Sequence, residues 1–224
     1  MLEVKDINAF YGDFHVLHQT SLTVGKGELV AVIGANGHGK STLLKAICGL
    51  TPVKSGEIIL NGQDVTGKRA PDLVQEGLVY VAEDRRLFPD MTVLENLQLG
   101  AYTPAARQHE KRNLDRVFSL YPRLAERRDQ LCRSLSGGEA QMVALGRGLM
   151  SNPSLLAIDE PSLGLAPNLT ETMLKTVSQL NQDGLTVLLV EQSLALLKGM
   201  IDRVYSIEEG IVTSNHTDNM QEVL

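Results

Sequence analysis

A short glycine-rich segment constrains the fold of this chain more than any other feature. Residues 34–42 read Gly-Ala-Asn-Gly-His-Gly-Lys-Ser-Thr and match the spacing G-x-x-x-x-G-K-[ST]. The segment follows the strand-like run 28–33 and precedes the helical pattern 43–47, which is the context that this spacing requires. Glycines let the backbone approach an anion, and the N–H groups and dipole at a helix start favour phosphate. The sequence therefore predicts a nucleotide-binding loop.

The polar residues of this loop have separate predicted roles. We expect Lys40 to pair with β- and γ-phosphate oxygens, Ser41 to coordinate Mg²⁺, and Thr42 to offer a hydroxyl on the α-phosphate side. His38 has two interpretations: it senses γ-phosphate or pH, or it fills a position that tolerates variety because its side chain points outward. The predicted nucleotide-binding residues of the loop are Asn36, Gly37, His38, Gly39, Lys40, Ser41 and Thr42.

Two carboxylates follow an apolar run farther along the chain. Residues 155–158 are Leu-Leu-Ala-Ile, and Asp159 and Glu160 come directly after them. A continuous apolar run is typical of a parallel strand covered on both faces, and such strands end at the crevice where ligands bind. We expect Asp159 to hold Mg²⁺ through its water shell and Glu160 to act as general base on the attacking water. Alternatively, the two acids simply begin a turn before Pro161.

A second glycine-bearing turn lies at residues 135–139, Leu-Ser-Gly-Gly-Glu. Ser136 and Glu139 have the S-x-x-E spacing of a capping box, so the segment is predicted to begin a helix. An ordinary helix start is therefore one interpretation. Gly137 and Gly138 favour another, because two glycines just inside the helix expose N–H groups to an anion, which a purely structural cap does not need.

The order of the phosphate loop, the Leu-Ser-Gly-Gly-Glu turn and the apolar run ending in Asp-Glu resembles the ATP-binding-cassette (ABC) ATPases, and the resemblance covers essentially the whole chain. It implies an α/β fold, a P-loop NTPase (RecA-like) parallel-sheet core with an N-terminal antiparallel β subdomain and an inserted α-helical subdomain at about residues 86–150. Residues 1–224 are expected to be a single ABC ATPase nucleotide-binding domain that uses ATP and Mg²⁺.

The resemblance also implies a head-to-tail dimer with two nucleotides between the subunits. Ser136, Gly137 and Gly138 would then contact the γ-phosphate held by the partner's loop, so that this turn acts in trans. Tyr11 lies where the family places the aromatic side chain that stacks on adenine, with Val16 beside it. Residues 162–165 occupy the segment that crosses the dimer interface. The partner is a second ABC ATPase subunit, in a homo- or heterodimer.

Two positions depart from the general family pattern. Glu83 stands where most relatives have a glutamine that contacts Mg²⁺ and the attacking water. Gln192 stands where most have a switch histidine near the γ-phosphate; a glutamine donates a hydrogen bond but does not carry a proton as imidazole does. With Lys40 and Glu160, these two residues complete the predicted catalytic set, and Ser41, Asp159 and Glu83 form the predicted metal set. Hydrolysis remains the expected activity.

The segments 83–89, 160–167 and 190–192 are similar to those of branched-chain amino acid importers, specifically the shorter of their two ATPase subunits. Urea and short-chain amide importers use closely similar ATPases. The resemblance implies transmembrane permease subunits as partners, with a solute-binding protein acting indirectly. The same resemblance implies that the permease subunits bind in the groove between the inserted helical subdomain, here called the helical lobe, and residues 83–88. The alternatives are a non-transport ATP switch of the same superfamily and a nucleotide-binding regulator with weak hydrolysis.

Composition agrees with this interpretation. The chain has 43% hydrophobic residues, a mean hydropathy of −0.05 and no apolar run near the roughly 18 residues that a membrane span needs. Residues 1–6 do not resemble a secretory signal. We therefore expect a cytoplasmic protein, peripheral on the inner face of the membrane through permease subunits. The net charge of −6 argues against nucleic acid as a partner. Cys48 and Cys132 are predicted to be reduced thiols.

Several local elements are also predicted. Residues 56–65 contain an Asn-Gly pair typical of a hairpin turn, and Thr92 and Glu95 form a second capping box. Strands near 155–158, 186–190 and 203–207 alternate with helices near 168–182 and 193–199. Residues 107–133 carry eight Lys and Arg residues against four Asp and Glu residues. This segment is either a pair of solvated amphipathic helices or a face toward anionic lipid or transporter loops.

Overall fold

The computed structural model describes residues 1–215, in which the strands form two sheets. The first sheet is antiparallel, with the strand order β2-β1-β4-β5. In its first strand, β1, side chains alternate between the two faces, so that Leu2 and Val4 lie in the core and Glu3 and Lys5 lie in solvent. The strands of this sheet are β1 (Leu2–Tyr11), β2 (Phe14–Val24), β4 (Val53–Leu60) and β5 (Gln63–Asp64). The predicted N-terminal antiparallel sheet is thus present.

The turn between β4 and β5 confirms the predicted hairpin. Asn61 and Gly62 both have positive φ, 53° and 79°, as a type I′ turn requires. Leu60 pairs with Gln63 across this turn.

The second sheet has six strands in the order β10-β9-β3-β8-β7-β6. All neighbouring pairs are parallel except the pair of β9 and β10 at one edge. The sheet consists of β3 (Leu29–Ile33), β6 (Leu78–Val81), β7 (Leu155–Asp159), β8 (Thr186–Glu191), β9 (Arg203–Glu208) and β10 (Ile211–Asn215). The four strands β3, β6, β7 and β8 therefore end at one edge of the sheet, which is where α/β proteins bind ligands.

Helices lie on both sides of this parallel sheet. Helix α1 (Lys40–Ile47) follows β3, α2 (Ala70–Gln75) precedes β6, and α8 (Pro167–Gln182) lies between β7 and β8. The remaining helices lie between β6 and β7: α3 (Val93–Leu99), α4 (Pro104–Arg107), α5 (Glu110–Leu120), α6 (Pro122–Glu126) and α7 (Gly137–Met150). These elements and the antiparallel sheet give the predicted α/β architecture.

The capping boxes predicted from the sequence begin two of these helices. The Thr92 hydroxyl accepts the N–H of Glu95, 3.1 Å away, while the Glu95 carboxylate accepts the N–H of Thr92 at 2.7 Å. Ser136 and Glu139 make the same reciprocal pair at the start of α7. Such a cap is worth about 0.5–2 kcal/mol of stability.

One predicted helix is much shorter than expected. Residues 193–199 contain only a 3-10 turn at Leu194–Leu197. Gly199, with a φ of 78°, follows within two residues and turns the chain toward β9. A second 3-10 turn, Cys132–Ser134, precedes α7. Cys48 and Cys132 are both buried free thiols.

Two hydrophobic clusters meet at the parallel sheet. Val30 and Val32 of β3 face a cluster with α1 and the antiparallel sheet, whereas Leu29 and Ala31 face a cluster with α7 and α8. The apolar strands are buried on both faces, as their continuous hydrophobic runs predict. None of the helices in residues 1–215 combines the length and hydrophobicity needed to cross a lipid bilayer.

Four of the eight Lys and Arg residues in 107–133 form ion pairs with acids outside this segment. Arg116 contacts Asp183 at 3.1 Å, and Arg133 contacts Asp90 at 2.8 Å. Arg127 and its neighbour Arg123 both contact Glu139, at 2.9 and 3.3 Å. These contacts favour the interpretation of the segment as a pair of solvated helices that pair part of their positive charge with acids of the same chain.

The close packing of α3 against α7 generates a stability prediction. A methyl group on Gly100, at the end of α3, would collide with the carbonyl oxygen of Arg147 and lie 2.8 Å from the Cβ of Met150. Because neither obstacle is a flexible side-chain end, Gly100→Ala is expected to lower the free energy of unfolding by about 1–3 kcal/mol. Urea denaturation measures this change.

Gly146→Ala is the matched control in the same interface. Its methyl group would meet only the side-chain ends of Leu97 and Val117, each 2.9 Å away. These ends can shift, and alanine is favoured over glycine inside a helix by about 1 kcal/mol, so the net change is expected to stay within about 1 kcal/mol. An equal loss in both variants would contradict this account of the interface.

Candidate nucleotide-binding site

Four parallel strands bring the predicted site residues to one edge of the sheet. Strand β3 leads into the glycine-rich loop, β7 ends at Asp159 with Glu160 next, and β8 ends at Glu191 with Gln192 next. Glu83 follows β6 by two residues. These residues are far apart in the sequence, and the parallel pairing alone places them together.

The glycine-rich loop wraps directly into α1. Gly37 and Gly39 have φ angles of 85° and 99°, in the left-handed region that only glycine adopts readily, and Gly39 caps the helix. The carbonyl of His38 accepts the N–H of Gly210 at 3.0 Å, which anchors the loop to the turn between β9 and β10. The first N–H groups of α1 are left for an anion.

A single open cavity lies against this loop. The cavity is lined by the loop, by the first part of β2 and by three residues that follow β6 or β7. The lining residues are Val16, Asn36, Gly37, Gly39, Lys40, Ser41, Thr42, Glu83, Glu160 and Leu163. Most of the residues predicted to contact nucleotide therefore share one cavity. Of the other predicted residues, Asp159 and Gln192 lie behind or beside the lining side chains and hold them, as described below, and His38 does not line the cavity.

The ammonium group of Lys40 forms a buried ion pair with Glu160. The Nζ–Oε1 distance is 2.9 Å, and the two side chains are only 3% and 6% exposed. Lys40 also donates a hydrogen bond to the carbonyl of Ala35 at 3.1 Å. The predicted phosphate-binding lysine is thus held by the predicted general base. An incoming phosphate must replace Glu160 as the partner of Lys40.

Glu160 is held by strand β8 through both its backbone and its side chain. Its N–H donates to the carbonyl of Val190 at 3.0 Å, and the amide of Gln192 donates to its Oε2 at 2.7 Å. Its φ of 40° lies in the left-handed region, which costs a non-glycine residue of order 1–3 kcal/mol. Strain of this kind at a strand end is typical of functional sites, where the surrounding structure holds the residue in place.

The carboxylate of Asp159 is fixed at both oxygens. The Ser41 hydroxyl donates to Oδ1 at 3.0 Å, and the Tyr80 hydroxyl donates to Oδ2 at 2.7 Å. Burial raises the pKa of Asp159, and these two hydrogen bonds oppose that rise. Sequence analysis missed Tyr80. The only signal was a hydroxyl-bearing residue in the otherwise apolar strand β6.

The oxygen donors here suit a hard cation. Ser41, Asp159 and Glu83 offer hydroxyl and carboxylate oxygens, the ligands that Mg²⁺ prefers. Burial raises the pKa of Glu83, and the nearby charges of Glu160 and Asp159 raise it further. Among residues 1–215, no three His, Cys, Asp or Glu side chains are arranged to hold a metal by themselves.

Glu191 is a second functional candidate that sequence analysis did not single out. Its carboxylate is 2% exposed and accepts hydrogen bonds from the N–H and the hydroxyl of Ser162, at 3.1 and 2.9 Å. The N–H of Gln192 is a third donor at 3.3 Å. Burial raises the pKa of Glu191, while the hydrogen bonds lower it. A charged residue closing the apolar strand β8 was the available signal.

Ser136, Gly137 and Gly138 do not line the phosphate cavity of their own chain. Ser136 and Gly137 form the exposed start of α7, where a side chain built at Gly137 would meet only the guanidinium group of Arg85, 3.6 Å away. Gly138 is buried, and a Cβ there would lie 2.6 Å from the side chain of Leu169. Tyr11 also lies outside the lining, at the end of β1. It is 51% exposed, and its hydroxyl is 3.4 Å from that of Thr51.

Comparison with known protein families and sequences gives a consistent result. Residues 17–163 match the family described as ABC transporter. The chain is 41% identical to the high-affinity branched-chain amino acid transport ATP-binding protein BraG of Pseudomonas aeruginosa, over 97% of this chain and 93% of that protein. It is 35% identical to the probable branched-chain amino acid transport ATP-binding protein LivF of Archaeoglobus fulgidus, over 98% and 93%.

Solved structures give the same picture. A nucleotide-free ATP-binding cassette from an ABC transporter has a TM-score of 0.87 and 29% identity, covering 100% of this chain and 94% of its own. The ADP conformation of another cassette has a TM-score of 0.81 and 30% identity, covering 95% and 89%. A dimeric bacterial ABC transporter cassette has a TM-score of 0.81 and 26% identity, covering 95% and 96%.

The buried ion pair predicts an effect on nucleotide affinity. Glu160→Gln releases Lys40 and removes one negative charge from the cavity, so the variant is expected to bind ADP more tightly, by about tenfold or about 1.4 kcal/mol. Titration with a fluorescent ADP analogue measures the affinity. Glu171→Gln is the control, because it removes the same charge from an exposed pair with Lys175. ADP affinity equal to or weaker than wild type in Glu160→Gln would contradict the predicted competition.

Proposed function

The chain belongs to the ABC transporter family and is an ATP-binding and ATP-hydrolysing subunit. From that premise we propose that it powers an importer of branched-chain amino acids. The observation that carries the enzymatic part is the meeting of Lys40, Ser41 and Glu160 in one cavity, with Asp159 hydrogen-bonded behind Ser41. The solute is inferred from the names of the relatives. Urea or short-chain amides are the second candidate, because the ATPase subunit itself need not contact the solute.

In the proposed cycle, ATP enters the cavity and its phosphates take Lys40 from Glu160. The Gln192 amide holds the freed Glu160 carboxylate in place through a hydrogen bond of 2.7 Å. The carboxylate then accepts the proton of the attacking water. Ser41, Asp159 and Glu83 would hold Mg²⁺, which supplies positive charge against the developing charge on the phosphates. Tyr11, half exposed at the end of β1, offers a ring face on which adenine can stack, and Val16 lines the cavity.

We propose that the start of α7 serves the nucleotide of a second subunit. The Ser136 hydroxyl accepts the N–H of Glu139, so its own hydrogen remains available to donate to a phosphate oxygen. The N–H groups of Gly137 and Gly138 are among the first of the helix and have no partner within it. Since these groups lie outside the cavity of their own chain, a head-to-tail dimer is the arrangement that uses them. Such a dimer is formed by two copies of this chain or by this chain and a related subunit.

An apolar groove between the parallel sheet and the helical lobe is the proposed permease contact. Its lining includes Leu50, Val74, Leu99 and Tyr102, with Phe88 at 52% exposure. Leu87, by contrast, packs against the core. Along one wall, Arg147 of α7 donates to the carbonyls of Arg85 and Arg86, at 2.8 and 2.7 Å. A cytoplasmic helix of a permease would place the chain on the inner face of the membrane, with a solute-binding protein farther along the assembly.

Measured turnover separates this enzyme from a nucleotide-binding regulator with weak hydrolysis. Wild-type protein is expected to hydrolyse ATP in the presence of Mg²⁺, and Glu160→Gln is expected to lower the rate by about 10²–10⁴ because the general base is lost. Phosphate release measures the rate, and ATP binding in the variant confirms that its cavity is intact. Equal rates in the two proteins would exclude Glu160 as the base.

Mixing two inactive variants tests whether α7 acts in trans. Lys40→Ala disables the phosphate loop, and Gly137→Asp places a carboxylate against the phosphate while fitting the open helix start. In a mixed dimer, one composite site carries both changes and the other carries none. Partial ATPase activity is therefore expected on mixing. If α7 acted in cis, each chain would retain its own defect, and the mixture would stay as inactive as its components.

A further inference from the structure

We propose that Glu191 is a positioning residue that fixes the segment Ser162–Leu165, here called the interface segment, in the orientation that a second subunit requires. The inference rests on the proposed dimeric function and adds to it a residue that contacts neither nucleotide nor water in the proposed cycle. It comes from a juxtaposition within one chain: the end of β8 binds the interface segment and the general base at the same time.

The contacts of Glu191 are unusual for a buried acid. Its carboxylate is 2% exposed, and all three donors that it accepts from are neutral. Two of those donors, the N–H and the hydroxyl, belong to Ser162. A buried carboxylate is strongly unfavourable unless such hydrogen bonds are made. Because Ser162 supplies most of them, the carboxylate is satisfied only while Ser162 stays where it is.

Three consecutive residues, the last two of β8 and the one that follows it, hold the turn that comes after β7. The carbonyl of Val190 accepts the N–H of Glu160, Glu191 holds Ser162, and Gln192 donates to the Glu160 carboxylate. The turn continues into the interface segment, where Leu163 donates its N–H to the carbonyl of Glu160 at 3.1 Å and its side chain lines the phosphate cavity. The general base and the interface segment are therefore positioned by one strand end.

Loss of the Glu191 contacts should affect dimerisation before it affects nucleotide binding. Glu191 does not line the phosphate cavity, so the groups that bind a nucleotide in one subunit remain in place. The interface segment would lose its anchor at Ser162 and sample other orientations, and ordering it again would weaken association. A residue with a purely structural role would instead lower stability, nucleotide affinity and dimerisation together.

The experiment uses the Glu160→Gln protein as parent, in which ATP hydrolysis is expected to be slower by about 10²–10⁴. Sedimentation velocity measures ATP-dependent dimerisation, and a fluorescent nucleotide measures monomer affinity. Glu191→Ala is expected to weaken dimerisation by about tenfold, which corresponds to about 1.4 kcal/mol, at unchanged nucleotide affinity. Glu191→Gln should restore most of it, because its amide can accept the Ser162 N–H and donate to the Ser162 hydroxyl. Ser162→Ala should weaken dimerisation less when combined with Glu191→Ala than it does alone.

Ile58→Val in the same parent is the control for general loss of stability, since Ile58 is buried in the antiparallel sheet, in the hydrophobic cluster that does not contain α7. It should lower the melting temperature while leaving dimerisation intact. The proposal is overturned if Glu191→Ala dimerises as strongly as the parent. It is also overturned if nucleotide affinity falls as far as dimerisation does.

Failure of the dimeric function itself is a distinct result. If the parent binds ATP and remains monomeric, the proposed function is wrong in this respect, and the positioning role is then judged by hydrogen exchange of the peptide that contains the interface segment. Faster exchange in Glu191→Ala than in the parent supports the anchoring contact. Unchanged exchange overturns it.

Discussion

The buried ion pair between Lys40 and Glu160 joins the two halves of the site. One partner begins α1 after the glycine-rich loop, and the other follows strand β7, more than a hundred residues later. The pairing of β3 with β8 and of β8 with β7 sets the distance between them, so that the rest of the site is arranged around this contact. A charge removed from water is stable only with such a partner, which makes the parallel sheet and the chemistry mutually dependent.

Local sequence predicted the elements whose contacts are themselves local. The phosphate loop, the hairpin at Asn61 and the capping boxes at Thr92 and Ser136 depend on neighbours within a few residues, and all are present. Tyr80 and Glu191 were missed because their partners, Asp159 and Ser162, lie far away in the sequence, and no short segment shows which strands become neighbours. The roles of the individual site residues in nucleotide binding remain predictions, although their placement around one cavity agrees with them.

The two departures from the general family pattern have a common electrostatic setting. Glu83 adds a carboxylate to a site that already contains Asp159 and Glu160, and its raised pKa reflects both burial and that crowding. Gln192 contacts Glu160 through an amide, whose hydrogen-bond donors do not depend on pH as those of imidazole do. The site therefore combines more negative charge with a permanently neutral donor.

Arg147 connects helix α7 to the apolar groove, so that α7 spans the distance between the groove and the start of the helix. The helix begins at the turn that we propose serves a second subunit, and three turns later Arg147 donates hydrogen bonds to the carbonyls of Arg85 and Arg86 beside the apolar groove. An uninterrupted helix of this length, 14 residues, is a rod of roughly 21 Å. Because the helix is rigid, its two ends move together. A tilt imposed at the groove would therefore displace the opposite end directly, and the residues between the two ends need not rearrange.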